Sequence, residues 1–390
     1  MKFTSVEAIP VRVPRDIAAA TGMAGSPTRL RGTQGDYRWS EVFPCLYSVN
    51  IETALLKLTT DSGLVGWGEA QAPLAPEVAC TIINLLLKPV LLEEEFSGDA
   101  GDIPALWNKL YSTMRVRGQT GGFMIDAISA VDIALWDLAG KHAGKPVSAL
   151  LDETPKLHVP AYLSGLPDRG RAEAACRAAA QSFHQVKLFR SGPAAAMLAA
   201  IDEIQQATNG QLRIAFDGLW QFTPGEAIDF GYELDKRGAV WFEAPLPPED
   251  AVAHGEVARA IRTPVAIGES YRTTAEMAPF YREGAVGLLQ PDLGRCGITE
   301  GMRLAAQALR HNVAVVPHIS VAFGPQIAAA LHFAAAVDSC TLAEYNPKVL
   351  EVANRFLRQP IRLEGPCYEV PRTPGLGADI DEDALRQVTG

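Results

Sequence analysis

No Cys-x-x-Cys pair occurs in this chain: its six cysteines, Cys45, Cys80, Cys176, Cys296, Cys340 and Cys367, stand singly. That spacing offers neither a disulfide framework nor a thiolate zinc site, and reduced thiols in a cytoplasmic protein are the expectation. Long apolar runs are missing too, so no segment is expected to span a bilayer. The N-terminus has no basic stretch leading into an apolar core, which argues against export. Basic residues are the minority, 35 Lys and Arg against 45 Asp and Glu, for a formal charge of −10. With no basic stripe to offset it, that excess of acid disfavours nucleic acid and anionic membranes as partners. What is present is an apolar share of 48% with 21% charged residues, the balance of a well-cored globular protein.

Between Leu212 and Ser270 lie three apolar runs, Leu212–Asp217, Ala239–Glu243 and Pro264–Glu269, each reading as a buried strand closed by one carboxylate. Asp217, Glu243 and Glu269 recur at intervals of 26 and 26 residues, the length of one strand, one helix and two loops. The rhythm extends upstream to Lys187, 30 residues before Asp217, and downstream to Asp292, His318 and Glu344 at intervals of 23, 26 and 26. A lone acid at a strand end is most often a helix cap or a solvated charge. Seven polar strand ends in succession point instead to a (β/α) barrel, whose C-terminal strand ends converge on one face. Three unpaired carboxylates gathered there repel one another unless a hard divalent cation neutralises them. Oxygen-only ligands that leave room for water and substrate suit Mg²⁺, with Mn²⁺ as the alternative.

At 390 residues the chain exceeds a single barrel of about 250 residues, so a second, smaller domain is expected. Lys2 to Val13 alternates like a first strand. Residues 16–43 show no sustained period and read as a long lid or binding loop, carrying Arg29, Arg31, Arg38 and Trp39 toward substrate or solvent. Asn50 to Thr60, the turn at Asp61-Ser-Gly63, and Leu64 to Glu69 form a hairpin signature. Helices follow around Pro76–Leu87 and Ile103–Met114. A strongly apolar helix then runs from Gly121 and is closed by Gly144, Lys145 and Pro146; its Asp132 and Asp137 read as caps or as partners of nearby bases. The expected organisation is an α+β capping domain over residues 1–125, a (β/α)7β barrel over 126–350 whose first strand is His158–Ser164, and a C-terminal segment, 351–390, of strands and turns returning to the cap.

The order Lys187, Asp217, Glu243-Ala-Pro-Leu, Gly268-Glu269, Gln290-Pro-Asp292, Pro317-His318 and Glu344 resembles the mandelate racemase and muconate lactonizing enzyme branch of the enolase superfamily. Ala-x-Asp-x-Ala-Leu-Trp-Asp-Leu-x-Gly-Lys precedes this series and Gly-Leu-Gly follows it, so the resemblance covers essentially the whole chain. It implies a modified (β/α)7β TIM barrel under an α+β cap, Mg²⁺ on Asp217, Glu243 and Glu269, and chemistry that starts by removing a proton α to a carboxylate. In that scheme His318 transfers the proton and Asp292 hydrogen-bonds its far nitrogen. The cation of Lys187 and a protonated acid at Glu344 assist. A symmetric homo-oligomer is implied as well.

One departure decides among reactions. Members with a second base show Lys-x-Lys where this chain reads Lys187-Leu188-Phe189. Residues two apart on a strand share a face, so Phe189 takes the place of that base and transfers no proton. Racemisation needs acid/base groups on both faces of a carbon, whereas one His on one face suffices for syn elimination of water. The expectation is a Mg²⁺-dependent dehydratase of a polyhydroxy acid, an aldonate or aldarate, giving a 2-keto-3-deoxy acid through a metal-stabilised enediolate. An epimerase or cycloisomerase is the alternative, and a non-catalytic binding protein the remote one. Leu219, where some dehydratases carry a second His, leaves no obvious separate acid for the departing hydroxyl.

Overall fold

The computed structural model describes residues 1–14, 30–32, 35–40 and 45–389, with only the backbone of 30–32 and 389. β1 (Phe3–Pro14) opens the chain. Part of the segment expected as an irregular loop is a small antiparallel ribbon: β2 (Leu30–Gly32), β3 (Tyr37–Ser40) and β4 (Leu46–Ser48), in that order. Arg29 lies outside the described residues, as does the Arg31 side chain. Arg38, on β3, donates from Nη1 to its neighbour's carbonyl, Tyr37 O, at 2.9 Å, and Trp39 beside it is exposed. β5 (Asn50–Thr60) pairs antiparallel with β1 on one side and with β6 (Val65–Ala70) on the other.

Helices α1 (Glu77–Ile82), α2 (Lys88–Leu92) and α3 (Ile103–Arg115) lead to α4 (Gly122–Ala143). α4 is apolar all round, which a helix tolerates only when covered on every side; an unbroken run of it, Met124 to Gly140, is buried. β6 covers one flank. The strand can approach this closely because a Cβ on Gly68 would sit 1.9 Å from Ala130 O. Asp132 and Asp137 of α4 are buried fasteners rather than end caps. Asp132 accepts from Thr299 N at 2.9 Å. Asp137 accepts from Trp67 N (2.9 Å), Leu376 N (2.8 Å) and Lys141 Nζ (2.6 Å), so one side chain joins the cap sheet, α4 and the C-terminal segment.

After the short α5 (Ser148–Leu151), strands and helices alternate: β7 (His158–Ser164), α6 (Arg171–Ala180), β8 (Gln185–Phe189), α7 (Ala194–Ala207), β9 (Arg213–Asp217), α8 (Pro224–Arg237), β10 (Phe242–Glu243), α9 (Ala251–Ala260), β11 (Val265–Ile267), α10 (Thr274–Arg282), β12 (Leu288–Leu289), α11 (Leu293–Arg310), β13 (Ala314–Val315), α12 (Pro325–Ala336) and β14 (Ala343–Tyr345). The strands pair in parallel in chain order, and β14 pairs with β7. A bridge from Val315 to Cys340 brings the end of the series back to β13, which makes the modified (β/α)7β barrel. Tyr162, Ala215, Trp241, Ala266, Leu288 and Val316, on or beside β7 and β9 to β13, form a separate apolar cluster, the side-chain filling expected of a barrel interior.

Beyond β14 come α13 (Pro347–Asn354), the hairpin β15 (Leu363–Glu364) and β16 (Cys367–Glu369), and α14 (Glu382–Thr389). The hairpin joins the barrel, β16 running antiparallel to the first residues of β7. The chain then reaches the cap, where Glu382 of α14 pairs with Lys57 of β5 at 2.8 Å. The expected strands and turns thus end in a helix.

Candidate active site

The strands that carry the polar tips are only two to five residues long from β8 to β14, so several of the tip residues sit just past their strands. Glu243 is level with Asp217 in the parallel register, and Asp292 bridges to His318. Lys187 rises from β8 into the middle. Its Nζ donates to Glu243 Oε1 at 2.6 Å and pairs with Glu344 Oε1 at 2.9 Å. Burial opposes the ammonium charge, but Glu243 and Glu344 override it and hold its pKa well above the ordinary lysine value.

Glu243 Oε2 accepts from Trp241 Nε1 at 3.0 Å and from Gln290 Nε2 at 2.7 Å. Burial and the adjoining Glu243 push the Asp217 carboxyl well above its ordinary pKa, and Glu269 adds to the effect. Glu269 lies 3.0 Å from His318 Nε2. Its burial alone would raise its pKa, yet the imidazolium beside it draws it down to about 2. His318 in turn donates from Nδ1 to Asp292 Oδ2 at 2.8 Å. Desolvation disfavours the charged ring, and the Glu269 and Asp292 carboxylates overcome it, so its pKa stands well above the ordinary histidine value.

The sequence-derived positions form two groups of contacts, Lys187 with Glu243 and Glu344 and His318 with Glu269 and Asp292, while Asp217 feels Glu243 and Lys187 through charge; the state of Glu344 differs from the expectation. Glu344 was expected as a protonated acid. Burial favours that form, but Lys187 at 2.9 Å and the His318 charge hold its carboxyl below the ordinary range, and Oε2 accepts from Ile319 N at 3.0 Å. Trp241 and Gln290 were assigned no role from sequence, although Trp241 precedes Glu243 by two and shares its strand face. Phe189 is level with Asp217 on the neighbouring strand and packs its ring against Gly165.

Among the described residues, no three acidic, histidine or cysteine side chains close around a single point; Glu243 and Glu344 pair with Lys187, and Glu269 and Asp292 with His318. Their chemistry nonetheless fits a hard divalent cation. The set is carboxylate only, and Asp217 carries the burdens of burial and like charge that such a cation relieves.

Residues 170–384 match the family described as enolase C-terminal domain-like, and residues 47–152 match the mandelate racemase / muconate lactonizing enzyme N-terminal domain. The chain belongs to the mandelate racemase / muconate lactonizing enzyme branch of the enolase superfamily. Among curated relatives, it is 33% identical to the D-galactarolactone cycloisomerase of Agrobacterium fabrum, covering 85% of this chain and 90% of that one. It is 30% identical to a D-galactonate dehydratase of Ralstonia pickettii, covering 84% and 88%. A solved enolase-superfamily structure from Agrobacterium tumefaciens superposes with a TM-score of 0.91 at 31% identity, covering 99% of this chain and 98% of that one. For this superfamily member, a divalent metal ion and a small-molecule carboxylate substrate follow from the family. No helix among the described residues is long and apolar enough to cross a membrane.

Proposed function

We propose that the protein is a Mg²⁺-dependent hydro-lyase that removes water from a sugar acid, an aldonate or aldarate, to give a 2-keto-3-deoxy acid. The observation that carries this reading is the one-sided acid/base equipment: His318, backed by Asp292 at 2.8 Å, with Phe189 where a second base would stand. Asp217, Glu243 and Glu269 would hold the ion, which when bound supplies Lewis-acid stabilisation of the negative charge that accumulates on the substrate carboxylate. His318 Nε2 takes the α proton. Asp292 keeps the proton on Nδ1, so that Nε2 is the nitrogen that exchanges it. Lys187, buried and firmly protonated, adds a fixed positive charge near the developing anion. His318 then returns its proton to the β-hydroxyl, which leaves as water from the same face, and the resulting enol tautomerises to the 2-keto acid. Glu269 would be among the residues that hold the ion, and its carboxylate would then no longer be free to pair with His318.

The relatives support this chemistry, since several are named as dehydratases of galactonate, arabinonate and xylonate. A second reading, cycloisomerisation of a sugar-acid lactone, is favoured by Leu219. Hydroxide is a poor leaving group whose conjugate acid has a pKa of about 15.7, and no second His stands ready to protonate it. A lactone ring oxygen expelled by the same β-elimination leaves as a carboxylate with a pKa of about 4 and needs no acid.

A screen of the Mg²⁺-loaded enzyme against acid sugars and their lactones separates the two readings by mass. Dehydration product lacks one water, while cycloisomerisation product keeps the substrate's mass. His318→Asn is expected to lose about 10²–10⁴-fold in turnover and to stop exchange of the α proton with D₂O. Full activity in that variant would remove His318 from the mechanism, and an inverted α carbon in recovered substrate would overturn the one-base reading.

A further inference from the structure

The strand β6 of the cap ends over the tips of β12 and β13, and Glu69 near its end and Gln71 just beyond it grip them. Gln71 N donates to Gly294 O at 2.8 Å, on the turn that follows Asp292. Glu69, fully buried, reaches the segment that follows His318. Its Oε1 accepts from Phe323 N at 2.6 Å and from Thr53 Oγ1 at 2.8 Å, and its Oε2 accepts from Gln326 N at 3.0 Å. An anion at the start of α12 is favourable by itself, since it meets unpaired backbone N–H groups and the positive end of the helix dipole. Capping alone does not account for Gln326. The residue whose backbone donates to Glu69 extends its side chain the other way, and its Nε2 donates to Asp292 Oδ1 at 3.0 Å. The same oxygen accepts from Gly294 N at 2.9 Å, leaving Oδ2 for His318 Nδ1 at 2.8 Å. Position 294 must be glycine for this: a Cβ there would lie 2.3 Å from the Gln326 amide oxygen.

We propose that Glu69 is a positioning residue, which from the capping sheet sets the orientation of the His318 imidazole through Gln326 and Asp292. The path is a continuous series of buried hydrogen bonds, Glu69 to Gln326 to Asp292 to His318. A second cap contact, Gln71 N to Gly294 O, reaches Asp292 only through the Gly294 backbone, whereas the Glu69 route passes through a side chain that substitution can remove. The proposal rests on the reading of His318 as the base, and its test separates the two.

The test compares full-length, Mg²⁺-loaded wild type, Glu69→Gln, Gln326→Leu and His318→Asn. It is run at about pH 8, above the value of about 7 to which burial lifts Glu69, so that the wild-type carboxylate is ionised. Glu69→Gln turns one accepting oxygen into a donor facing a backbone N–H. Gln326→Leu leaves the cap contact intact and cuts only the link to Asp292. With ¹⁵N-histidine labelling, the ring N–H resonance of His318 is identified by its loss in His318→Asn. It is expected to shift or broaden in both Glu69→Gln and Gln326→Leu. Turnover of the acid sugar found in the screen should fall by about ten- to hundredfold, with KM within about threefold of wild type. An α-deuterated substrate should show a larger isotope effect in both variants, which loss of correctly folded enzyme would not produce. A Gln326→Leu enzyme with wild-type resonance and wild-type kcat overturns the proposal, whatever Glu69→Gln does. Wild-type turnover in His318→Asn instead overturns the base assignment, and the resonance then decides the positioning by itself.

Discussion

Glu269 and His318 hold each other in states unsuited to proton abstraction. At 3.0 Å the carboxylate is drawn down to about 2 and the ring is held well above its ordinary pKa. An imidazolium has no lone pair to accept a proton. Because Glu269 is also a carboxylate of the proposed ion site, binding of a divalent cation competes with the pairing to His318. Chelation with EDTA is therefore expected to abolish α-proton exchange as well as product formation, and added Mg²⁺ to restore both. Exchange that persists in EDTA would mean that His318 escapes Glu269 unaided. At this scale the sequence was informative about residue identity, since the spacing of tips marked all seven side chains of the network. Of partners it supplied only Asp292 for His318, through the family resemblance. Nothing in the order of residues showed that Lys187 would divide its charge between Glu243 and Glu344, because both contacts join residues more than fifty positions apart.

The elements depend on a few charged fasteners. Lys156, in the turn before β7, places its Nζ at the C-terminal end of α12 and donates to Ala334 O (3.2 Å), Val337 O (2.6 Å) and Cys340 O (3.1 Å). Those carbonyls have no helical partner, and a cation there also meets the negative end of the dipole. Lys156→Met is expected to cost roughly 1–3 kcal/mol, read as a lower urea midpoint, with room-temperature turnover unchanged because the site lies at the opposite end of the barrel strands. A midpoint equal to wild type would show that water replaces the ammonium without loss. The helices here were visible as apolar periods and the strands as short apolar runs. Their lengths were not. The predicted run Ala239–Glu243 shrinks to Phe242–Glu243, because a short strand needs only a few ladder bonds before its chain turns toward the barrel mouth. The ribbon of β2 to β4 was likewise hidden, since its residues pair with one another rather than present an alternating apolar face to a core.

Across the whole molecule, distant segments meet on buried polar groups, and His332 is the most consequential for pH. Its Nδ1 accepts from Ser148 N at 3.1 Å and its Nε2 donates to Leu376 O at 3.0 Å, so α12, α5 and the C-terminal segment meet on one neutral ring. Burial lowers its pKa from 6.5 to about 4. The unfolded chain thus takes up this proton first as pH falls. The contribution is intact above about pH 6.5 and is lost progressively toward pH 4, amounting to roughly 3 kcal/mol. Asp132, raised by burial to about 6, and Glu69, raised by burial to about 7, act in the opposite direction, stabilising the fold as acid is added. The comparison must therefore be between wild type and His332→Gln. The variant is expected to lose less stability than wild type between pH 6.5 and 4 in urea titrations, and parallel curves would refute the assignment.

By itself the sequence determined the barrel, the cap and the seven polar strand ends, because period and spacing are local properties that a parallel βα series turns directly into position. Only the tertiary structure decided how Lys187 pairs with Glu243 and Glu344 and His318 with Glu269, that Glu344 is held ionised, and that β6 of the cap sits on the Asp292–His318 pair. Those outcomes depend on which buried groups, far apart in the chain, come within hydrogen-bonding distance once water is excluded, and no local pattern encodes that.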